Sequence, residues 1–411
     1  MAKSTTKKAK SALEVAPPTK TVDNDEQVVV NEEQVASTTR TSPNGPQADA
    51  TTQTPTNQER SWEFEECIVI SRNFIPENKT IMPLIAATAA LPIVDISPFL
   101  PNASLEDKAR KPIIAKEMFH ACRDVGFMYI CGHGIDSKVV NGVQDYAREF
   151  FGLPTEEKEK IHISNSDMAR GYQMLGQNIT KYKKDWHEGI DSYAELSPDH
   201  TLNKMGIKTL TGKNQWPAQP AGFKNAYLDY VEQCKVLGMA IMQAMAMSLG
   251  LDEHYFDKIM TDSFWCMRII GYPPLTEGLA KDGEVGMSCG EHCDYGCLTI
   301  LNTDSTTGAL QVLSKEGEWI DANPVPGCFV INIGDMLNNL TNDIVIHTKS
   351  SYRVSIPFFF EPHFDALIEP IPKCVKETDG IPHHKPVIYG NHLLSKVSNN
   401  FDVSAAGSAS L

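Results

Sequence analysis

The stretch SCGEHCDYGCLTILNTDSTTGALQVLSKEGEWIDANPVPGCFVINIGDMLNNLTND, residues 288–343, alternates short apolar runs with turn residues and opens on a histidine and an aspartate one residue apart. CLTILNTD, ALQVLS, EWIDANP and CFVINIGD read as strands punctuated by Gly, Asp, Asn and Pro. On an extended segment His292 and Asp294 point to the same side, because side chains two apart share a face. An imidazole and a carboxylate so placed can chelate one ion. With a second imidazole they form the facial set that suits non-haem Fe(II) and leaves positions open for dioxygen and a cosubstrate. An H-x-D pair by itself is a common coincidence beside a turn, so its surroundings decide its meaning.

Working outward, WCMRIIGYPP precedes this stretch and YRVSIPFFFEP follows it, both with strand character. Regular short strands after a more helical half predict an α+β protein: a double-stranded β-helix, the jelly-roll barrel, buttressed by helices, with a helical N-terminal part. That half opens as strand, helix, strand, helix over LPIVDISPF, DKARKPIIAKEMFHACRDVG, FMYICGHG and SKVVNGVQDYAREFFGLP. A long helix is predicted from about Gly222 to Leu249, with Tyr227, Val231, Val236, Met239, Met242, Ala244 and Met247 on its apolar side as core. Residues 1–60 are rich in Thr, Ser, Gln, Asn and Pro with almost no aromatics, and predict a disordered tail. The expected organisation is that tail, a linker over 61–90, an N-terminal region over 91–225 and the jelly-roll domain over 226–400.

The 411 residues, 41% of them hydrophobic, are ample for a large core. The apolar patch IMPLIAATAALPIVDI is broken by Pro83 and Pro92. Neither a membrane span nor a secretory signal is expected, and a cytoplasmic monomer is. The formal charge is −15; residues 1–60 hold seven basic and eight acidic side chains, net −1, so the rest carries −14. That sign opposes nucleic-acid or anionic-membrane binding and favours small-molecule chemistry. Ten cysteines without a CxxC pair are expected to be reduced thiols, and Gly290 and Gly296 argue against a helix that would gather Cys289, Cys293 and Cys297 around a metal.

In one collinear order from about Leu91 to Phe401, LPIVDISPFL, CRDVGFMYICGHGI and the 288–343 stretch resemble the isopenicillin N synthase-like family of Fe(II)/2-oxoglutarate oxygenases. The resemblance implies Fe(II) held by His292 and Asp294. It implies that Arg353 and Ser355, matching the family's R-x-S element, bind the distal carboxylate of 2-oxoglutarate through a guanidinium fork and a hydroxyl. An arginine inside the apolar strand RVSIPFFF needs a buried anionic partner, which fits that role. Tyr272 in RIIGYPP matches a family tyrosine near the cosubstrate, and is equally readable as a core aromatic.

The third ligand is where the chain departs from the family. There, the distal histidine follows the TN turn by roughly seven residues and the R-x-S arginine comes about ten later, whereas here Arg353 follows Asp343 by only ten positions. His347 is the histidine offered. Aligned from Arg353 it falls four residues past the family's ligand position, roughly 13 Å along a strand. A single lost block of about seven residues therefore leaves it a bystander, and a slipped strand makes it the ligand.

The expected activity is oxidation of a small organic substrate by dioxygen, coupled to decarboxylation of 2-oxoglutarate, giving hydroxylation, desaturation or cyclisation. The alternatives are an iron-impaired or non-catalytic homologue that keeps the barrel, and an oxidase of the same fold that does not use 2-oxoglutarate.

Overall fold

Strand sequences in the C-terminal half carry Val, Ile, Leu and Phe on both faces, as strands covered on both sides must. The computed structural model describes residues 91–273 (without 168, 181, 182 and 185), 294–341 (without 314–316), 350–351 and 355–400. The expected tail and linker lie outside these residues. Eleven strands build the two main sheets: β1 Ile93–Asp95, β2 Phe127–Cys131, β3 Gly171–Gln173, β4 Glu188–Tyr193, β5 Cys266–Gly271, β6 Leu298–Thr303, β7 Gln311–Leu313, β8 Trp319–Asp321, β9 Cys328–Ile333, β10 Ser350–Ser351 and β11 Ser355–Phe360. Eight of them form one sheet in the order β1-β2-β9-β6-β11-β5-β4-β3, and β8-β7-β10 form a second. β1 and β2 run parallel, joined by a helical crossover; the other pairings in both sheets are antiparallel.

Alternation along these strands sends side chains into two different cores. Met128, Ile130, Ile300, Ile331, Ile356, Phe358, Met267 and Ile269 face the helices. Those helices are α1 Lys111–His120, α2 Ser137–Phe151 and α3 Phe223–Ser248. The other face sends Phe127, Tyr129, Leu301 and Val330 against Leu310 and Val312 of the small sheet. Two sheets closing on a shared core is the jelly-roll arrangement, and its inner face is the wall on which a site can be built.

Local signals account for the helices. Pro112 stands in the first turn of α1, where a missing N–H costs nothing. After α1 the chain continues as a π-turn over Ala121–Val125 and stops at Gly126, whose φ of 79° suits glycine. The Asp136 carboxylate caps α2 by accepting the Lys138 N–H at 2.8 Å. α3 buries Tyr227, Tyr230, Val231, Cys234, Leu237, Ile241, Met242 and Met245, a wider arc than a surface helix, because it lies between the sheet and the helices α1 and α2. Val236, expected on its apolar side, is instead 48% exposed. At Gly238 the helix comes so close to β11 that a Cβ would stand 2.5 Å from the Phe360 ring.

The expectation that all ten cysteines are thiols is corrected at one pair. β2 and β9 set Cys131 directly opposite Cys328, with Cα atoms 4.4 Å apart, and the two sulfurs are bonded. The partners are 197 residues apart, so only the strand register brings them together. Cys122, Cys234, Cys266, Cys297 and Cys374 are buried thiols. Among the described residues no helix is long and apolar enough to cross a membrane.

Candidate active site

Asp294 sits in a short loop leading into β6, and backbone hydrogen bonds clamp that loop. The helix α4, Asp335–Leu340, begins just behind it. Asp335 N–H donates to the Asp294 carbonyl (3.0 Å), Met336 N–H to that of Gly296 (2.9 Å) and Gly334 N–H to that of Cys297 (3.1 Å). A Cβ at Gly334 would overlap the Gly296 carbonyl, and one at Gly296 would overlap the Glu361 carboxyl, so both glycines are required by close packing. Glu361, 3% exposed, accepts the Cys297 N–H at 2.8 Å from the end of β11.

Two strands then aim the Asp294 carboxylate. Its Oδ2 accepts from the Thr299 hydroxyl and from Asn332 Nδ2, the latter at 2.6 Å. Thr299 of β6 and Asn332 of β9 face each other directly in the ladder, so both donors rise from the inner wall at one level. A carboxylate fixed by outer hydrogen bonds is how proteins hold a metal ligand in one orientation.

Ser355 opens β11 opposite Ile270 and Thr303, which places it on the same inner face, four residues of strand beyond Thr299. It is 8% exposed and roughly 13 Å along the wall from Thr299. Tyr272 directly follows β5 and packs edge-on against the His187 ring, centroids 5.3 Å apart. Ser355 and Tyr272 thus lie near each other, Ser355 pairing with Ile270 two residues before Tyr272, while Asp294 is held at the Thr299–Asn332 level of the same wall. His292, His347 and Arg353 lie outside the described residues. An anionic oxygen donor already braced by two hydrogen bonds, with a hydroxyl further along the same wall, suits a divalent cation and an oxygen-rich cosubstrate.

A charged cluster lines the next strands. Arg268 of β5 stands opposite Asp191 of β4. Its Nε donates to Asp191 Oδ1 at 2.7 Å, Gln173 Nε2 donates to Asp191 Oδ2 at 2.6 Å, and Arg268 Nη2 donates to Asn178 Oδ1 at 3.3 Å. Burial pushes the Asp191 carboxyl up, against the pull of Arg268 and Gln173. Glu361 is pushed up to about 8 by burial, with the Asp294 charge adding to it and the Cys297 N–H and Tyr389 hydroxyl opposing.

Sequence reasoning did not single out Thr299, Asn332, Glu361 or the Arg268–Asp191 pair. Signals existed for two of them: Asn332 interrupts the apolar run FVINI, and Arg268 interrupts CMRII, as Arg353 interrupts RVSIPFFF. Thr299 reads as an ordinary strand residue, and nothing local marks Glu361.

The chain and its fold have parallels among known proteins. Residues 91–219 match the family model "non-haem dioxygenase in morphine synthesis N-terminal", and residues 264–362 match the "2OG-Fe(II) oxygenase superfamily". A homoarginine-6-hydroxylase of Arabidopsis thaliana is 41% identical over 329 residues, covering 76% of this chain and 98% of the relative. A 2-oxoglutarate-Fe(II) type oxidoreductase of Emericella nidulans is 31% identical, covering 73% of this chain and 87% of the relative. The crystal structure of a full-length Neurospora crassa protein in complex with alpha-KG superposes with a TM-score of 0.64 at 28% identity, covering 75% of this chain and 96% of that one. On these matches the chain belongs to the isopenicillin N synthase-like family of 2OG-Fe(II) oxygenases, enzymes that use Fe(II) and 2-oxoglutarate.

Proposed function

We propose that this protein hydroxylates a small polar amino acid, with homoarginine as the first candidate. The substrate C–H becomes C–OH with one atom of dioxygen, and 2-oxoglutarate takes the other as it loses carbon dioxide and becomes succinate. The observation that carries the reading is the Asp294 carboxylate, oriented by Thr299 and Asn332 on the wall that also bears Ser355. The substrate is suggested by similarity to homoarginine-6-hydroxylases over 98% of their length and by the charged cluster on the same wall.

In this reading His292 and Asp294 hold the iron and His347 is the candidate for the third position. Fe(II), when bound, supplies the activation of dioxygen. The chain's own groups do the positioning: Thr299 and Asn332 keep one carboxylate oxygen engaged so that the other presents a fixed direction. Arg353 and Ser355 take the distal carboxylate of 2-oxoglutarate, and Tyr272 borders it. Leu301, Val330 and Val312 pack between the two sheets and give the wall an apolar backing, which disfavours water beside a bound substrate.

A second reading is favoured by one observation, that Arg353 follows Asp343 by only ten positions. With the ligand-bearing block lost, only two protein ligands remain and iron affinity falls. Incubation with Fe(II), ascorbate, 2-oxoglutarate and homoarginine decides between them. Succinate formed together with a homoarginine product carrying one added oxygen supports the first. Turnover of other substrates but not homoarginine refutes the substrate, and failure with every substrate alongside weak Fe(II) binding supports the second.

A further inference from the structure

We propose that Arg268 anchors the carboxylate of an amino-acid substrate and so determines specificity, an inference that rests on the hydroxylase reading above. Arg268 lies two residues before Ile270, which pairs with Ser355, so alternation sends its side chain from the inner face that carries Ser355, Thr299 and Asn332. It is held by one side only. Nε is fixed to Asp191 and Nη2 to Asn178, while Nη1 has no partner among the described residues. Asp191 cannot rotate away, because Gln173 occupies its second oxygen. The Arg268 side chain is 27% exposed where that of Asp191 is 6% exposed, so the arginine is not sealed in with its partner.

A guanidinium locked on one edge and open on the other is preorganised for a carboxylate, since little side-chain entropy is left to lose. The buried Asp191 keeps the guanidinium in place, and the N–H groups it does not engage remain as charge-assisted donors for a carboxylate. Its location fits a substrate better than the cosubstrate. Ser355 marks the cosubstrate end at the level of Ile270, whereas Arg268 is one step back toward the level of Thr299. Two strand spacings across and two residues along put Arg268 roughly 12 Å from Thr299 by Cα position. Both side chains project inward from those positions, and homoarginine extends about 6 Å from its carboxyl carbon to C6. An amino acid anchored at Arg268 is therefore of a length to span the gap toward the Asp294 end with its distal carbons.

The test measures anaerobic binding by calorimetry, with Fe(II) and 2-oxoglutarate present, of homoarginine and of homoarginine amide, which lacks the carboxylate charge. The full-length parent should prefer homoarginine by roughly 10- to 100-fold, the worth of a charge-assisted contact. Arg268→Leu combined with Asp191→Asn removes both charges together and leaves neither buried alone. In that variant homoarginine binding should weaken to the level of the amide while amide binding stays the same. Arg268→Lys, which keeps the charge without the fork, should lose part of the preference and decides the matter if the double variant does not fold. Equal binding of both ligands by the parent overturns the role of Arg268 and leaves the hydroxylase reading standing. No binding of either ligand overturns the amino-acid substrate and this inference with it. Loss of 2-oxoglutarate affinity with the homoarginine preference intact assigns Arg268 to the cosubstrate and also overturns it.

Discussion

Removing the Asn332 amide should loosen the metal site without unfolding the protein. Asn332 is 5% exposed, and its Nδ2 lies 2.6 Å from Asp294 Oδ2, the oxygen that also accepts from Thr299. A hydrogen bond to a charged group contributes about 1.5–3 kcal/mol. Loss of such an outer contact typically weakens metal affinity 10- to 100-fold, and at about 1.4 kcal/mol per tenfold the two figures agree. Asn332→Ala should therefore raise the Fe(II) Kd by one to two orders of magnitude. Thr299→Val removes the other donor at nearly constant volume and should act in the same direction. The double variant should lose less than the product of the two effects, because both donors serve one oxygen and the carboxylate is already released by the first change. The assay is an anaerobic titration of Fe(II) in the presence of 2-oxoglutarate, followed by the weak visible charge-transfer band of the chelate, with melting temperature as the folding control. If both single variants fold and bind Fe(II) with the parent's Kd, Asp294 is not held by these donors or is not a ligand.

Three further outcomes follow from particular contacts. Glu361 has its folded pKa raised to about 8 from an ordinary 4.5, so the metal-free protein should lose stability as pH climbs between those values, while the unfolded chain gives up the proton and the folded one keeps it. Glu361→Gln should match the parent near pH 4.5 and exceed it by a few kcal/mol above pH 8, at about 1.4 kcal/mol per tenfold in acidity; parallel pH profiles in chemical denaturation would contradict the assignment. At Gly238, where a Cβ would stand 2.5 Å from Phe360, Gly238→Ala should destabilise by about 1–2 kcal/mol net, overpacking outweighing the gain in helix propensity; a higher denaturation midpoint would show that Phe360 moves aside freely. On the second reading, with the ligand-bearing block lost, His347→Ala should change Fe(II) affinity little, while inserting YKSTPHR between Ile344 and Val345 should tighten it, since an imidazole ligand is restored at the family's spacing; abolition of full-stoichiometry iron binding by His347→Ala would refute that reading and make His347 the third ligand.

Much of the architecture was legible locally. The strands over 266–271, 298–303, 311–313, 319–321, 328–333 and 355–360 fall where short apolar runs meet turn residues, and α3 covers 223–248 against an expected span of about 222–249. Alternation of buried faces along the described strands was legible too, because it is a local property of an extended chain. Which buried face a strand residue joins is not local. Ile300 and Leu301 are both apolar and buried, yet one packs on the helices and the other on the small sheet, and only sheet pairing assigns them. The same holds for Val236, whose exposure depends on where neighbouring helices leave α3 uncovered. Cys131 and Cys328 bond across 197 residues, and Thr299 and Asn332 converge on Asp294, because antiparallel register sets distant positions opposite each other. The sequence by itself determined the family and its cofactors, through the resemblance of several motifs met in one collinear order. The tertiary structure alone decided which side chains brace Asp294, which carboxylate meets Arg268 and which cysteines pair, since each contact joins segments whose approach is fixed by sheet order and strand register.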